Sequence, residues 1–250
     1  MKRLELIGLE GIGEIRCGDS VGRLICEACL RAQIEIADDD VLVVAQKVIS
    51  KSEGRMVSLE AVTPSSRARD LGRQLDKEPE LVEVILGESR RVIRSGGRAL
   101  IVETHHGFVC ANAGVDQSNV GLRQAALLPQ DPDRSARAIR AEIQQRSGKS
   151  PGVIVSDSFG RAWRLGTVDV AVGIAGINPI RDERGALDHY GYRLKAAVAA
   201  VADEIAAAAE LVMGKRDGVP VVIVRGFQSE KKEESSVREL LRPETEDLFR

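Results

Sequence analysis

Aromatic side chains are scarce in this sequence. One tryptophan, two tyrosines and four phenylalanines occur among 250 residues, so a core has to be built from Val, Ile, Leu and Ala. Aliphatic runs of that kind suit strands covered on both faces. An excess of charge is lacking as well. Thirty-six basic residues stand against 38 acidic ones, which argues against a general nucleic-acid-binding surface while leaving room for a local anion site. Cysteine is too sparse for a disulfide-stapled secreted domain. Cys26 and Cys29 have C-x-x-C spacing, but they lie in GRLICEACLRAQI, a helical pattern without a second close pair. They are expected to be buried thiols rather than half a zinc site. His105 and His106 are adjacent, so at most one faces a site on an extended chain, and neither is expected to bind metal. No apolar run reaches the roughly 20 residues needed to cross a bilayer. The opening MKRLELIGLEG has no long apolar stretch of the signal-peptide kind. The expectation is a cytoplasmic protein without a membrane partner.

Two common nucleotide signatures are missing. Gly11-Ile12-Gly13 is only G-x-G and reads as a turn, and no G-x-x-x-x-G-K-[ST] loop is present. No repeat or flexible linker stands out, so the chain is one large unit or two subdomains packed directly together.

Strands and helices are intermixed. Lys2–Leu9 reads as a strand, Val21–Ile34 as a helix capped by Asp19 or Ser20, and Val41–Ala45 as a short buried strand. Ser66–Asp76 and Pro79–Ile93 read as helices, the second opened by Pro79, with Arg90, Arg91 and Arg94 toward its C-terminal end. Arg98–Glu103 and Gly107–Ala111 read as a hairpin. A helix follows from Asp131-Pro132 to about Arg146, then strands at Val153–Val155 and Thr167–Ile174, and a charged ordered loop at Pro179–Tyr192. Tyr192–Met213 has the strongest helical propensity of the chain. Val221–Val224 is a buried strand, and Val237–Leu241 an amphipathic turn in a charged tail. Regular βαβ alternation is absent, which leaves a compact α/β or α+β protein, neither Rossmann nor P-loop.

Two stretches carry the chemistry. HGFVCANAGVDQSNV places Asp116 and Asn119 after a short apolar run, with Gly114 permitting an unusual turn before them. VIVSDSFGRAWR delivers Asp157 and Ser158 from an apolar run and follows with Arg161 and Arg164. If the two acids converge, hard oxygen ligands favour magnesium or manganese, which bridges phosphate oxygens in phosphoryl transfer. Gln46-Lys47 and Lys51 follow a buried strand, and strand ends are where α/β proteins place ligand groups. Lys47, Lys51, Arg161, Arg164, Lys215 and Arg225 are the cationic candidates for phosphate or carboxylate. Trp163, between two arginines, is expected to anchor a core or an interface.

Together with VVAQKVISKSEGR and VADEIAAAAELVMGKRDGVPVVIVRG, these motifs resemble the coenzyme F420-0:L-glutamate ligase family, the F420 gamma-glutamyl ligases, from about Leu6 to Phe227. The resemblance implies an α+β, mixed-sheet fold of its own with two compact subdomains, assembled as an intertwined homodimer without the C-terminal nitroreductase-like domain of some members. It puts metal ligands at Asp116, Asp157 and Ser158; with these two aspartates, Arg161 and Arg164 from the residue reading complete the expected catalytic set. Nucleotide contacts fall on Gly11, Ile12, Gln46, Lys47, Lys51 and Asn119, and on the loop with Met213, Gly214, Lys215, Gly218, Val219 and Pro220. The implied substrates are F420-0, L-glutamate and GTP, with Mg2+ or Mn2+ and potassium as a further candidate cation. The implied reaction proceeds through an acyl phosphate and continues with γ-linked glutamates. A related amide ligase with another acceptor, and a non-catalytic nucleotide-binding regulator, are the alternatives at this point.

Overall fold

The computed structural model describes residues 2–248. In chain order the elements are β1 (Glu5–Gly8), α1 (Val21–Arg31), β2 (Val41–Ala45), α2 (Gln46–Ser52), β3 (Met56–Ser58), α3 (Ser66–Leu75), α4 (Pro79–Gly87), β4 (Ser89–Gly96), β5 (Ala99–Thr104) and β6 (Val109–Ala111). Then follow β7 (Gln124–Ala126), α5 (Pro132–Ser147), β8 (Gly152–Arg161), β9 (Arg164–Ala175), β10 (Arg181–Asp182), β11 (Val198–Ala199), α6 (Val201–Met213) and β12 (Val221–Arg225). The fold is mixed α+β, with one five-stranded sheet and several smaller ones, and is neither a Rossmann nor a P-loop arrangement.

The large sheet runs β1-β12-β2-β8-β9. Only β2 and β8 are parallel, in register from Val41 opposite Gly152 to Ala45 opposite Ser156. Val41–Val44, Val153–Val155 and Val221–Val224 are all buried, so both faces of these strands are covered, as their unbroken aliphatic runs require. Each such side chain contributes about 1.5–3 kcal/mol by leaving water. Helices α1, α5 and α6 complete this core. A second, smaller cluster lies between α3, α4 and the β4-β5-β6 sheet, around Leu75, Val82, Ile85, Leu100 and Val102.

Register explains where the site must be. Because β2 and β8 are parallel, both run toward the same edge, where β2 ends at Ala45 opposite Ser156 while β8 continues to Arg161 along β9, and β12, which is antiparallel to β2, enters there, with Val221 opposite Val44. The end of β1 joins them, since Leu9 N donates to Val221 O at 2.8 Å. The ends of β1, β2 and β12 therefore open on one rim beside the middle of β8. Arg225 sits at the other end of β12, where its guanidinium grips buried Asp40 at 2.7 and 2.8 Å. It is a structural cation and not a ligand group.

Several expected boundaries move. The helix from Pro79 stops at Gly87, and Arg90, Arg91 and Arg94 lie on strand β4. Cross-strand pairing decides this, with Arg91 Nε donating to buried Glu103 of β5 at 2.7 Å. The helix expected from Tyr192 begins only at Val201, because Val198–Ala199 pairs with Arg181–Asp182 in a two-stranded arm. The strands expected at Val153–Val155 and Thr167–Ile174 are parts of one long hairpin, β8–β9. Trp163 stands at its tip and is 82% exposed, so it is no core anchor. Cys29 is buried and Cys26 partly so, and burial raises both thiols, Cys29 to about 11.

Candidate active site

At the rim of the large sheet lies a cleft of about 480 Å³, a size suited to a small-molecule ligand. Its walls come from the strand ends just described. The segment after β1 supplies Ile12, Gly13 and Glu14, the β2–α2 junction supplies Gln46, Lys47 and Lys51, and β8 supplies Ser156, Asp157 and Ser158. Asp169 enters from β9, and Met213–Arg216 with Gly218–Pro220 enter from the loop between α6 and β12. The chain from β6 to β7 closes the remaining side with Asp116, Ser118 and Asn119.

That last chain is held by a small-sheet contact. Asp116 and Ala126 exchange backbone hydrogen bonds at 3.0 and 2.8 Å, extending the β3–β7 pair. The turn feeding it depends on Gly114. With φ near +69 and Leu128 atoms about 2.8 Å from where a Cβ would stand, no side chain fits there. Lys47 Nζ then donates to Asp116 Oδ2 at 2.7 Å, to Ser118 Oγ at 2.7 Å and to Ser118 O at 2.9 Å. Burial alone would raise Asp116, but the Lys47 ammonium and the Ser118 N–H outweigh it and hold its carboxyl below the ordinary value.

Asp157 is in the opposite situation. Burial, reinforced by the like charges of Asp169 and Asp116, lifts it to about 7, against the pull of the Ser158 N–H and Lys47. The same carboxylate, after burial, helps push Cys110 up to about 12. Two aspartates 41 positions apart in sequence thus share one electrostatic environment, and one of them lacks a full counter-charge. A hard divalent cation answers that shortage. Among the described residues no three Asp, Glu, His or Cys side chains are drawn together as a metal cluster. The carboxylates of Asp116 and Asp157 and the hydroxyl of Ser158 are hard oxygen donors, a chemistry that suits a cation otherwise held by water and ligand phosphates, as magnesium commonly is.

The remaining groups form a basic and amide-bearing rim. Gln46 is 2% exposed, its Oε1 accepts from Ser50 at 2.7 Å, and its Nε2 has no partner among the described residues. An unmet buried donor costs roughly 1–3 kcal/mol, which a ligand oxygen would recover. Lys51 pairs with Glu14. Asn119 Nδ2 donates to Lys215 O at 3.1 Å, tying the Asp116 loop to the α6–β12 loop across the cleft. Pro220 O accepts from Ala45 N at 2.9 Å, anchoring that loop at its far end.

Of the residues expected from sequence, Ile12, Gln46, Lys47, Lys51, Asp116, Asn119, Asp157, Ser158, Met213, Gly214, Lys215, Gly218, Val219 and Pro220 line the cleft. Gly11 lies just outside, its carbonyl accepting from Arg31 at 2.9 Å. Arg161 and Arg164 are exposed near the β8–β9 tip, where Arg161 donates to Leu165 O at 2.8 Å. His106 is turned away, its Nε2 against the Pro129 carbonyl at 2.9 Å. Sequence reading missed Asp169, although an aspartate inside the apolar run Val168–Ile174 is a signal in itself, since a strand buries such a charge only for a reason. It also missed Ser118, which follows Asp116 in a tight Asx turn.

An acidic floor, an unmet buried amide and a lysine-bearing rim around one cleft suit a phosphate-bearing ligand accompanied by a hard cation. Comparison with known proteins sharpens that class. The family model F420-0:Gamma-glutamyl ligase matches residues 11–226. Coenzyme F420:L-glutamate ligase of Methanothermobacter thermautotrophicus is 47% identical over 249 residues, covering 99% of both chains. The proteins of the same name from Methanocaldococcus jannaschii and Archaeoglobus fulgidus are each 42% identical, covering 100% and 99% of this chain and 98% and 97% of their own. The chain belongs to the F420-0:gamma-glutamyl ligase family, and is accordingly a nucleotide-dependent ligase that joins an acid to an amino acid. A non-catalytic regulator is thereby set aside.

Proposed function

We propose that the protein attaches L-glutamate to the carboxylate of F420-0 at the expense of GTP and then extends the product through γ-linkages. The observation that carries this reading is the convergence of Asp116, Asp157 and Lys47 in one cleft, in a chain whose relatives bear the name coenzyme F420:L-glutamate ligase.

The chemistry balances in two steps. The acceptor carboxylate attacks the γ-phosphorus, the bond to the bridging oxygen breaks, and GDP leaves. The α-amine of glutamate then attacks the acyl carbon of the resulting acyl phosphate, loses a proton, and phosphate departs. Asp116, Asp157 and Ser158 would hold Mg2+ or Mn2+, which when bound neutralises charge on the transferring phosphoryl group. Lys47 and Lys51 lie along the rim as point charges for phosphate oxygens. The buried Gln46 amide is placed to donate to a nucleotide oxygen. The Asn119–Lys215 tie keeps the α6–β12 loop over the cleft, and a closed loop shields an acyl phosphate from water. Arg161 and Arg164, exposed on the β8–β9 arm outside the cleft lining, fit a role toward the acceptor or a second copy better than one at the phosphoryl group.

We take the protein to act as a homodimer, with its two hydrophobic clusters corresponding to two subdomains. Leu165, Tyr190 and Trp163 are 97, 92 and 82% exposed on the two arms, and we assign the arms to the contact between copies.

The test supplies GTP, Mg2+ or Mn2+, L-glutamate and F420-0, and follows product mass with GDP release. A gain of one glutamyl unit per GDP supports the reading. No product, with turnover of a different acid under the same conditions, contradicts it.

A further inference from the structure

Asp169 is a carboxylate in the cleft wall that the reaction above does not use. It is 6% exposed on β9, directly opposite Ser158 of β8. Its Oδ1 accepts from Ser158 Oγ at 2.6 Å and its Oδ2 from Ser156 Oγ at 3.0 Å. No lysine or arginine pairs with it among the described residues. A buried carboxyl group between two valines, held only by two hydroxyls, is costly in a strand. Its two oxygens are taken up by the hydroxyls of Ser156 and Ser158.

A hydroxyl has one proton. That of Ser158 is committed to Asp169 in a short charge-assisted bond, which fixes the rotamer and leaves only oxygen lone pairs to offer elsewhere. Ser156, held by the other carboxylate oxygen, keeps Asp169 from turning. We propose that Asp169 is a positioning residue that presents Ser158 Oγ as an oxygen ligand for a hard divalent cation. This rests on the reading of Ser158 as a cation ligand. The logic is that of outer partners that orient metal-binding side chains, whose loss typically weakens metal affinity about 10–100-fold.

The test is Mn2+ titration of the protein with and without one equivalent of GDP, against a GDP-only control, following the EPR signal of the free ion, for wild type, Asp169→Val, Ser158→Ala and the double variant. Valine removes the acceptor that Asn would keep. Wild type is expected to bind Mn2+, and the variants are compared in the condition where it does. Each single variant is expected to weaken binding by roughly 10–100-fold, and the double variant to be within about twofold of the weaker single one, because both act through one ligand. A role confined to strand stability would move the melting temperature but would not make the loss vanish in the Ser158→Ala background. Unchanged affinity in Asp169→Val, or losses that multiply in the double variant, would overturn the proposal while leaving the cation site standing. A wild-type protein that takes up no Mn2+ beyond the GDP control in either condition would overturn both. Should Asp169→Val fail to fold, Asp169→Glu, which displaces the carboxylate by one methylene, replaces it in the same cycle with the same two readings.

Discussion

Single residues carried most of what was legible about chemistry, and the reasons differ from one to the next. Asp116 and Asp157 stood out because each follows an apolar run and precedes small polar residues. Their meeting depends on the β3–β7 pair and the parallel β2–β8 register, which local patterns do not encode. Asp169 escaped notice because it sits within a strand rather than at its end. Replacing Asp116 or Asp157 with Asn keeps size and hydrogen bonding but removes the charge. Turnover is expected to fall by at least about a hundredfold, more than loss of an outer partner costs. Stability should change by no more than roughly 1 kcal/mol at Asp116, whose pair with Lys47 is partly open to solvent. Steady-state rates beside urea unfolding check both. Lys47→Met is expected to weaken GDP binding by about 1.5–3 kcal/mol, the usual worth of a hydrogen bond to a charged group. Calorimetric titration measures it, and undiminished affinity would remove Lys47 from the nucleotide contacts.

Elements bounded by strong local signals were readable. Val41–Ala45 has its expected limits, and α5 starts at Pro132 behind its Asp131 cap and ends in Gly148. Elements whose limits depend on a distant partner were not. Gly87 was a stop signal that the Leu81, Val84 and Ile85 stripe concealed, and alanine propensity overran β11 because a few tenths of a kcal/mol per residue yield to pairing. The α6–β9 contact gives a prediction of its own. Asp203, in the first turn of α6, accepts from Ala171 N of β9 at 2.9 Å, and burial raises its carboxyl above the ordinary 3.8 despite that bond. A raised folded value means the contribution is fully present below the unfolded value and is lost as pH climbs through the folded one. Asp203→Asn keeps the acceptor without the titration. The stability of wild type relative to this variant should therefore decline as pH rises from below 3.8 through the raised folded value. Urea unfolding across that range reads the difference, and a constant difference would show that burial does not control Asp203.

At the scale of the molecule, the sequence indicated an aliphatic, mixed α+β protein, while the five-stranded order and the two arms come from pairings far apart in the chain. The rim where the ends of β1, β2 and β12 meet the middle of β8 follows from that order, and with it the position of the cleft. The arms give a prediction about assembly. Sedimentation of the wild-type protein is expected to report a dimer, and replacing Trp163 and Leu165 together with Ser is expected to shift it toward monomer. A wild-type monomer at all concentrations would contradict the role given to the arms.

The most direct measurement is a crystal structure with GDP and Mn2+ bound. The account predicts anomalous density for manganese between the Asp116 and Asp157 carboxylates, with the diphosphate within reach of Lys47 and the loop Gly214–Pro220 folded over it. Manganese elsewhere, or a nucleotide bound outside this cleft with both carboxylates uncoordinated, would contradict it.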